Sequence, residues 1–473
     1  MTMSVTTLHA KWRSQLANIG QSHLIAHWEK LSDPQRADLD RQLQEIDWDL
    51  FGSVRQKHLA RSPEAATTAT KKFAPPAAVR LNEEPRGFSR AEARAKGEQL
   101  LRRGKVGMIL VAGGLGTRLG FDQPKGMFPL GPISQRPLFQ ILIEKLLAIR
   151  NRYQVAIPLY VMTSPATHTA TDSYLKEHKY FGLPANDVHL FEQGTMYAVD
   201  ATSFEILLEE PGRIFTGPDG HGGMLAAIAR RGCLADAQRR GIETFFYGQI
   251  DNPLLTVCDP EFLGIHALSK SELTSQAVAK TDPKERVGVF VDADGQLQVI
   301  EYIDLPEALA TARSSDGALT YWAGSVAVHA FDRKFLERMS GKANDVLPFH
   351  ISKKKVPFVD QAGEVVTPEH PNALRFERFI FDLLPHAANA LVVEIDKNVG
   401  FAPVKNDDSA ATDTPRTSRE AMMALHRGWL REAGVEVADA THVEINPLWA
   451  LDDTEVAAKI APGTKVSKPT YFQ

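Results

Sequence analysis

The sequence predicts an α/β protein: a mostly parallel sheet with antiparallel insertions, preceded by a helical region and followed by a small C-terminal domain. Three observations carry that expectation. Between residues 106 and 248, short apolar runs alternate with longer amphipathic stretches, the pattern that βα units leave in a sequence. Beyond Asp282 the apolar segments are joined by tight-turn dipeptides such as Asp294-Gly295, a hairpin signal. The first sixty residues read as helices, with Leu16, Ile19, Leu24, Ile25, Trp28 and Leu31 recurring near helical spacing as a docking stripe.

Each element follows in turn. Asp33-Pro34 reads as a cap and a first-turn proline opening a helix through Leu39, Leu43 and Ile46. From 61 to 86 the composition shifts to Ala, Thr and Pro, which marks a strap or linker, with Lys71-Lys72 as a solvated pair. Ser89 with Glu92 makes a capping box for a helix to about Arg103. Strands are expected at 108–112, 159–163, 188–192 and 244–248, with helices at 138–149, 166–178 and 222–240 between them. Val287 to Val291 and Leu297 to Tyr302 form a hairpin, and 356–366 repeats the theme around Gly363. A short strand at 391–395 precedes a helix at 416–432, and the tail from Thr441 is a short mixed piece. The expected domains are 1–100, helical region and strap; 101–398, catalytic; and 399–473, a short C-terminal domain.

Composition bounds the function. A chain of 473 residues suggests two or three domains, and 43% hydrophobic with 24% charged residues is the balance of an ordinary globular protein. A net charge of -4 provides no general basic field, so nucleic acid is not expected as a partner. Neither a cationic, apolar leader nor a run of eighteen apolar residues occurs, so no membrane partner is expected and the cytoplasm is the default compartment. Cys233 and Cys258 are too few for a disulfide framework and read as small core residues.

The stretch from Val106 to Met127 carries the chemistry. Its apolar run empties into a loop holding Gly113, Gly114 and Gly116, where no side chain keeps backbone amides from a phosphate. Arg118 and Lys125 add two positive charges beside this cradle, so polyphosphate is the expected guest. A dinucleotide fingerprint fails because Leu119 stands where its third glycine belongs, and Asp122 comes too early to hold a ribose. A Walker loop fails because Lys125 follows Pro124 and precedes Gly126. There is no G-x-S-x-G elbow, zinc-ligand spacing or H-E-x-x-H motif.

The run from Leu110 through Gly113-Gly114-Leu115-Gly116-Thr117-Arg118, continuing to Pro124-Lys125-Gly126-Met127, resembles the signature of UDP-sugar pyrophosphorylases. In particular it resembles the eukaryotic-type UDP-N-acetylhexosamine pyrophosphorylase group. Further matching blocks, in the family's order, include His178–Leu183, Phe191–Gly194, Pro218–Gly223, Ile250–Asn252, Arg313–Gly317, Phe376–Asp382 and Pro403–Ser409. The resemblance spans roughly residues 100 to 450 and implies a Rossmann-like, GT-A-like nucleotidyltransferase core. The implied reaction joins UTP and a hexose 1-phosphate into UDP-sugar and pyrophosphate, with Mg²⁺ as cofactor and N-acetylglucosamine 1-phosphate as acceptor.

The same resemblance implies site roles. Arg118 and Lys125 would face the departing pyrophosphate, Lys405 the phosphates of acceptor and transferred group, and Asp251 would hold Mg²⁺. Ala112, Gly113, Gly114, Gly116 and Thr117 would cradle the nucleotide, Gln193 would contact uracil, and Gly220 and His221 would approach base and ribose. Ser325, Glu377, Phe379 and Phe381 would line the sugar pocket. Two positions depart from the N-acetylhexosamine pattern. His221 replaces an asparagine and is similar to the histidine of UDP-glucose and broad UDP-sugar enzymes, and Trp322-Ala-Gly-Ser325 ends in a hydroxyl where that group carries an amide. The runner-up acceptor is therefore glucose 1-phosphate or a mixture of hexose phosphates. Two readings of other kinds stand beside it: a non-catalytic nucleotide-sugar sensor, disfavoured by retention of Arg118, Lys125, Asp251 and Lys405, and a nicotinamide oxidoreductase, disfavoured by Leu119.

Overall fold

Apolar runs of about six residues become fully buried strands where helices cover both faces of a sheet. The computed structural model describes residues 5–59, 72–461 and 463–473, so residues 61–71 of the Ala/Thr/Pro strap lie outside the described residues. The chain divides into two units, each discontinuous in sequence. The larger comprises 72–193, 223–347 and 380–473; the smaller combines the segment before residue 72 with 194–222 and 348–379.

In the larger unit, eleven strands among the described residues share one sheet. They are β1 (Phe73–Ala74), β2 (Ala78–Val79), β3 (Val106–Val111), β4 (Leu159–Thr163), β5 (Val188–Glu192), β6 (Thr244–Gln249), β7 (Leu273–Ala279), β8 (Val289–Ala293), β9 (Gln296–Ile300), β10 (Ala323–Asp332) and β11 (Leu391–Glu394). The order is β2-β11-β7-β10-β6-β3-β4-β5. β6, β3, β4 and β5 are mutually parallel, as are β7, β11 and β2, while β10 runs antiparallel to both β6 and β7. The β8–β9 hairpin turns at Asp294 and Gly295, both left-handed with φ of 53° and 83°, as the sequence anticipates. The described part of the strap lies along the sheet, β1 against β8 and β2 against β11.

Three local expectations are corrected. β10, ten residues long, sits inside the sheet as its antiparallel member; its alternation is masked by an apolar character on both faces, since it is covered on both. The helix expected over 222–240 is two helices, Met224–Arg230 and Cys233–Arg239, because Gly232 takes a left-handed φ of 77°. The second N-terminal helix is capped by Ser32, whose side chain pairs with Gln35 in a capping box, leaving Asp33 and Pro34 in its first turn.

Helices α1 (Arg90–Arg102), α2 (Leu138–Tyr153), α3 (Pro165–Glu177), α4 (Pro260–Leu268) and α5 (Pro415–Glu432) pack around the sheet. Val106, Met108 and Leu110 of β3 join Leu138, Leu142 and Leu146 of α2 in the principal core. α1 and α4 meet backbone to backbone: a Cβ on Gly97 would lie 1.7 Å from the Pro260 carbonyl oxygen, and one on Gly264 would lie 1.6 Å from that of Ala93. Cys233 and Cys258 are buried, as expected, and burial pushes both thiols up, Cys233 to about 12. A satellite core of Leu430, Val435, Val443, Ile445 and Val456 forms the C-terminal end of this unit.

The smaller unit packs its N-terminal helices, Asp33–Glu45 and Trp48–Leu59, and two 3₁₀ turns against short strands. Trp12, Leu16, Leu24, Trp28, Leu39, Leu43 and Phe51 share a core with Tyr197, Val199, Ile206 and Phe376. Buried Gln21 accepts from Ile206 N and donates to Phe204 O, supplying that segment's backbone with partners.

Candidate functional site

The parallel strands of the larger unit end together, and the loops beyond their carboxyl ends gather there. β3 runs into the glycine loop. A Cβ on Gly113 would stand 2.8 Å from Gln193 Oε1 and 3.2 Å from Ser164 N, so only glycine lets the loop pass against the end of β5. Ser164 Oγ donates to Gly113 O at 2.7 Å, which orients that peptide. The loop folds back on itself through Gly116 N to Gln123 O at 2.9 Å and Lys125 N to Gly114 O at 3.0 Å. The amides of Gly113 and Gly114 have no partner among the described residues, and Gly114 is exposed, which leaves donors turned outward at the mouth of the loop. Gly126 holds the next turn against the ring of Phe139, and Ala112 is buried while Thr117 is exposed.

Lys125 reaches across to the end of β6. Its Nζ lies 3.7 Å from Asp251 Oδ2 and donates to Val404 O at 3.2 Å, with side chains only 16% and 14% exposed for Lys125 and Asp251. At that distance the gross attraction is roughly 4 kcal/mol at an effective dielectric of 20, before desolvation. Asp251 O accepts from Val404 N at 2.8 Å, and buried Asn252 donates to Gly400 O and accepts from Ala402 N. The segment carrying Lys405 is thereby fixed to the end of β6. Lys405 N and Asn406 N both donate to Asp413 O, at 2.7 and 2.9 Å, and Asp413 takes a left-handed φ of 59°. Burial pushes the Asp413 carboxyl up; Lys405 pulls it down and Asp251 adds to the rise.

Lys125, Asp251, the Lys405 segment and the glycine loop with Gln193 are thus brought together in one unit. Gln193 is 7% exposed, and its N donates to Thr163 O at 2.9 Å. Arg118 stands exposed in the short turn Thr117–Leu119, with no ion pair among the described residues. Ser325 lies on β10, where its N donates to Gly288 O at 2.7 Å; a Cβ on Gly288 would stand 2.9 Å from Glu301 Oε1. Phe381 is 5% exposed and belongs to the core.

Gly220, His221, Glu377 and Phe379 lie in the smaller unit. Gly220 takes a φ of 84°, and a Cβ there would strike Arg378 O at 2.4 Å. Gly222 N donates to Arg378 O and Arg378 N to Asp219 O, both at 2.8 Å, so the Pro218–Gly223 turn is bonded to the end of the 373–377 strand. His221 stacks on Phe379 with centroids 5.2 Å apart, and His350 lies 4.4 Å from the same ring. Glu377 faces Arg375 at 3.8 Å.

Among the described residues no group of three or more His, Cys, Asp or Glu could hold a metal ion. Mg²⁺ keeps several waters and is commonly bound through one or two carboxylates plus substrate phosphates, so the single carboxylate of Asp251, beside Lys125, fits that requirement. No helix among the described residues is long and apolar enough to cross a membrane. Sequence reasoning assigned no role to Asn252, Asp413, Gly288 or Glu301. Asn252 directly follows Asp251, and Asp413 precedes the Thr414-Pro415 helix start; those neighbours are the signals that could have marked them.

Residues 48–458 match the family model described as UTP-glucose-1-phosphate uridylyltransferase. The chain is 34% identical over 450 residues to the UDP-N-acetylhexosamine pyrophosphorylase-like protein 1 of Mus musculus, covering 92% of this chain and 87% of that one. It is 35% identical over 444 residues to the UDP-N-acetylglucosamine pyrophosphorylase of Saccharomyces cerevisiae, covering 90% and 92% respectively. Among solved structures, the uridine diphosphate N-acetylglucosamine pyrophosphorylase of Trypanosoma brucei, in complex with an inhibitor, matches with a TM-score of 0.81 at 25% identity over 99% of both chains.

Proposed function

Because the chain belongs to the UTP-glucose-1-phosphate uridylyltransferase family, we propose that it transfers a uridylyl group from UTP to N-acetylglucosamine 1-phosphate. The observation that carries this reading is the meeting, within one unit, of the free amides of the glycine loop with Lys125, Asp251 and the pinned Lys405 segment. In the forward direction an oxygen of the sugar phosphate attacks the α-phosphorus of UTP, the bond from that phosphorus to the bridging oxygen of the β-phosphate breaks, and pyrophosphate leaves. The attacking oxygen is already ionised, so no general base and no covalent intermediate are needed. Positioning and charge neutralisation supply the acceleration.

The amides of Gly113 and Gly114 would receive phosphate oxygens, and Arg118 and Lys125 would neutralise the leaving pyrophosphate. Lys405, held by Asp413, would bear on the transferred phosphoryl group. Gln193, offering both a donor and an acceptor beside Gly113, suits the edge of uracil. Asp251 would hold Mg²⁺, which supplies charge neutralisation on the phosphates when bound. Lys125 also lies against Asp251, which aims its ammonium across the loop. The roles of Gly220, His221, Glu377 and Phe379 in the smaller unit, and of Phe381, rest on the family resemblance.

One observation favours a second acceptor. Ser325, whose N donates to Gly288 O, carries a hydroxyl where the resemblance leads one to expect an amide, which fits glucose 1-phosphate. The test is pyrophosphate release from UTP with glucose, galactose and N-acetylated hexosamine 1-phosphates. Release with the N-acetylated substrates at the highest kcat/KM supports the reading; release with none of them removes it.

A further inference from the structure

A second cavity in the larger unit, about 360 Å³, is lined by Arg80, Lys280 and Arg313 together with the hydroxyls of Thr281 and Ser314. It opens where β7 ends and β10 begins. Lys280 directly follows β7 and donates its backbone N to Trp322 O at 2.7 Å. The residue is only 4% exposed, and its chain lies over Gly324, where an added Cβ would stand 3.2 Å from Lys280 Cγ. Its ammonium makes no hydrogen bond or ion pair among the described residues, although it lines the cavity. Nearby Glu285 is already engaged, by Lys397 at 2.7 Å and by Thr281 N at 2.8 Å. Burial lowers the affinity of the Lys280 amine for its proton, while the carboxylates of Glu285 and Asp282, neither hydrogen-bonded to it among the described residues, act against that shift.

The other two cations are held in place. Arg80 lies over the Trp322 ring at 3.7 Å and donates to Glu394 at 2.7 Å, and Arg313 donates to Gly317 O at 2.7 Å. The one carboxylate in the lining, Asp316, accepts from Ala318 N at 3.0 Å. Three cations therefore line the cavity with one acid, and one of the three is buried with no hydrogen bond or close ion pair among the described residues. That is the arrangement an oxyanion completes, because a buried unpaired charge is costly and a charge-assisted hydrogen bond offsets the cost.

The cavity is not the triphosphate cradle. Three strand steps separate β7 from β3, roughly 14 Å across the sheet. Gly324, over which the Lys280 chain lies, also belongs to the face of β10 opposite Ser325, since successive residues alternate between faces along a strand. A volume at the lower end of the range for ligand pockets admits more than a bare phosphate ion.

We propose that this cavity is a second phosphoryl-binding site, which takes the phosphate group of a small phosphate monoester through Lys280, Arg80 and Arg313. The site stands apart from the uridylyl-transfer reading and its test does not depend on it. The test uses the full chain carrying Lys125→Ala and Lys405→Ala, so that the cradle no longer contributes its cations. Inorganic phosphate and a hexose 6-phosphate are titrated calorimetrically. The expected result is one phosphoryl ligand per chain, with binding weakened about tenfold or more by adding Lys280→Met or Arg313→Gln and kept by Lys280→Arg. Because Lys280→Met removes an unpaired buried charge, that variant should melt no lower than its parent in the absence of phosphate, which separates lost binding from lost folding. Tighter binding of the ester assigns the site to a monoester; equal binding assigns it to free phosphate. No binding in the parent, or binding unchanged by Lys280→Met, overturns the proposal.

Discussion

Lys125 shows how neighbours can position one side chain for a ligand. Asp251 and the Val404 carbonyl hold its ammonium while Gly114 and Gly126 fix its backbone, so a triphosphate would meet a charge already in place and make a charge-assisted bond with it. Lys125→Ala should therefore lower turnover about 10² to 10³-fold, the range seen when one preorganised transition-state contact is removed. Unchanged kcat at saturating UTP and Mg²⁺ would contradict the role. Ser325 is the residue most open to redesign. Ser325→Asn restores the amide expected from the family pattern and should raise the kcat/KM ratio of N-acetylated over plain hexose phosphates; identical ratios for the two proteins would reject that. Arg118, Lys125 and the glycines were legible in the sequence because their chemistry is contiguous. Asp413 was not, because its contribution is a carbonyl turned onto Lys405 by a left-handed φ, a property that no local pattern announces.

Pairs of elements carry constraints that neither member shows alone. α1 and α4 touch through Gly97 and Gly264, with no room for a methyl group on either. Gly264→Ala should force the helices apart and destabilise the protein by about 1–3 kcal/mol or more, measured by denaturant unfolding; an unchanged midpoint would mean that the helices can separate freely. A second pairing sets a pH response. Lys145 of α2 lines a cavity of about 640 Å³ shared with α5, donates to Pro253 O and Leu255 O, and is lowered by burial to about 7. The folded chain therefore releases this proton near pH 7, whereas the unfolded chain holds it to about 10.4. Between those values the unfolded state binds more protons, so the Lys145 contribution to stability rises with pH, by up to about 1.4 kcal/mol per unit. Asp259, pushed up by burial to about 6, acts with the opposite sign but below that window. The unfolding free energy of the wild type relative to Lys145→Met should grow from pH 7 to 10, and a flat difference would show that the amine keeps its charge.

For the whole molecule, binding should appear as stability. UTP with Mg²⁺ should raise the melting temperature by mass action, whereas NAD should not, since the glycine loop lacks the dinucleotide pattern. Equal protection by both nucleotides would count against a triphosphate cradle. The α/β class, the parallel core of β3 to β6, the β8–β9 hairpin and the capping box of α1 could all be read directly, because periodicity and capping are local signals. β10 escaped because a strand buried on both faces carries no alternation, and the break at Gly232 escaped because one glycine inside a helical pattern is ordinarily tolerated. The letters alone determined the chemistry on offer: backbone free of side chains, fixed cations and one carboxylate in separate blocks, each with its own short-range cause. Only the tertiary structure decided which of them meet. It set Lys125 on Asp251, hung Lys405 from the end of β6 and buried Lys280 with no hydrogen bond or close ion pair among the described residues, because long-range contacts depend on strand order and loop docking rather than on neighbours in the chain.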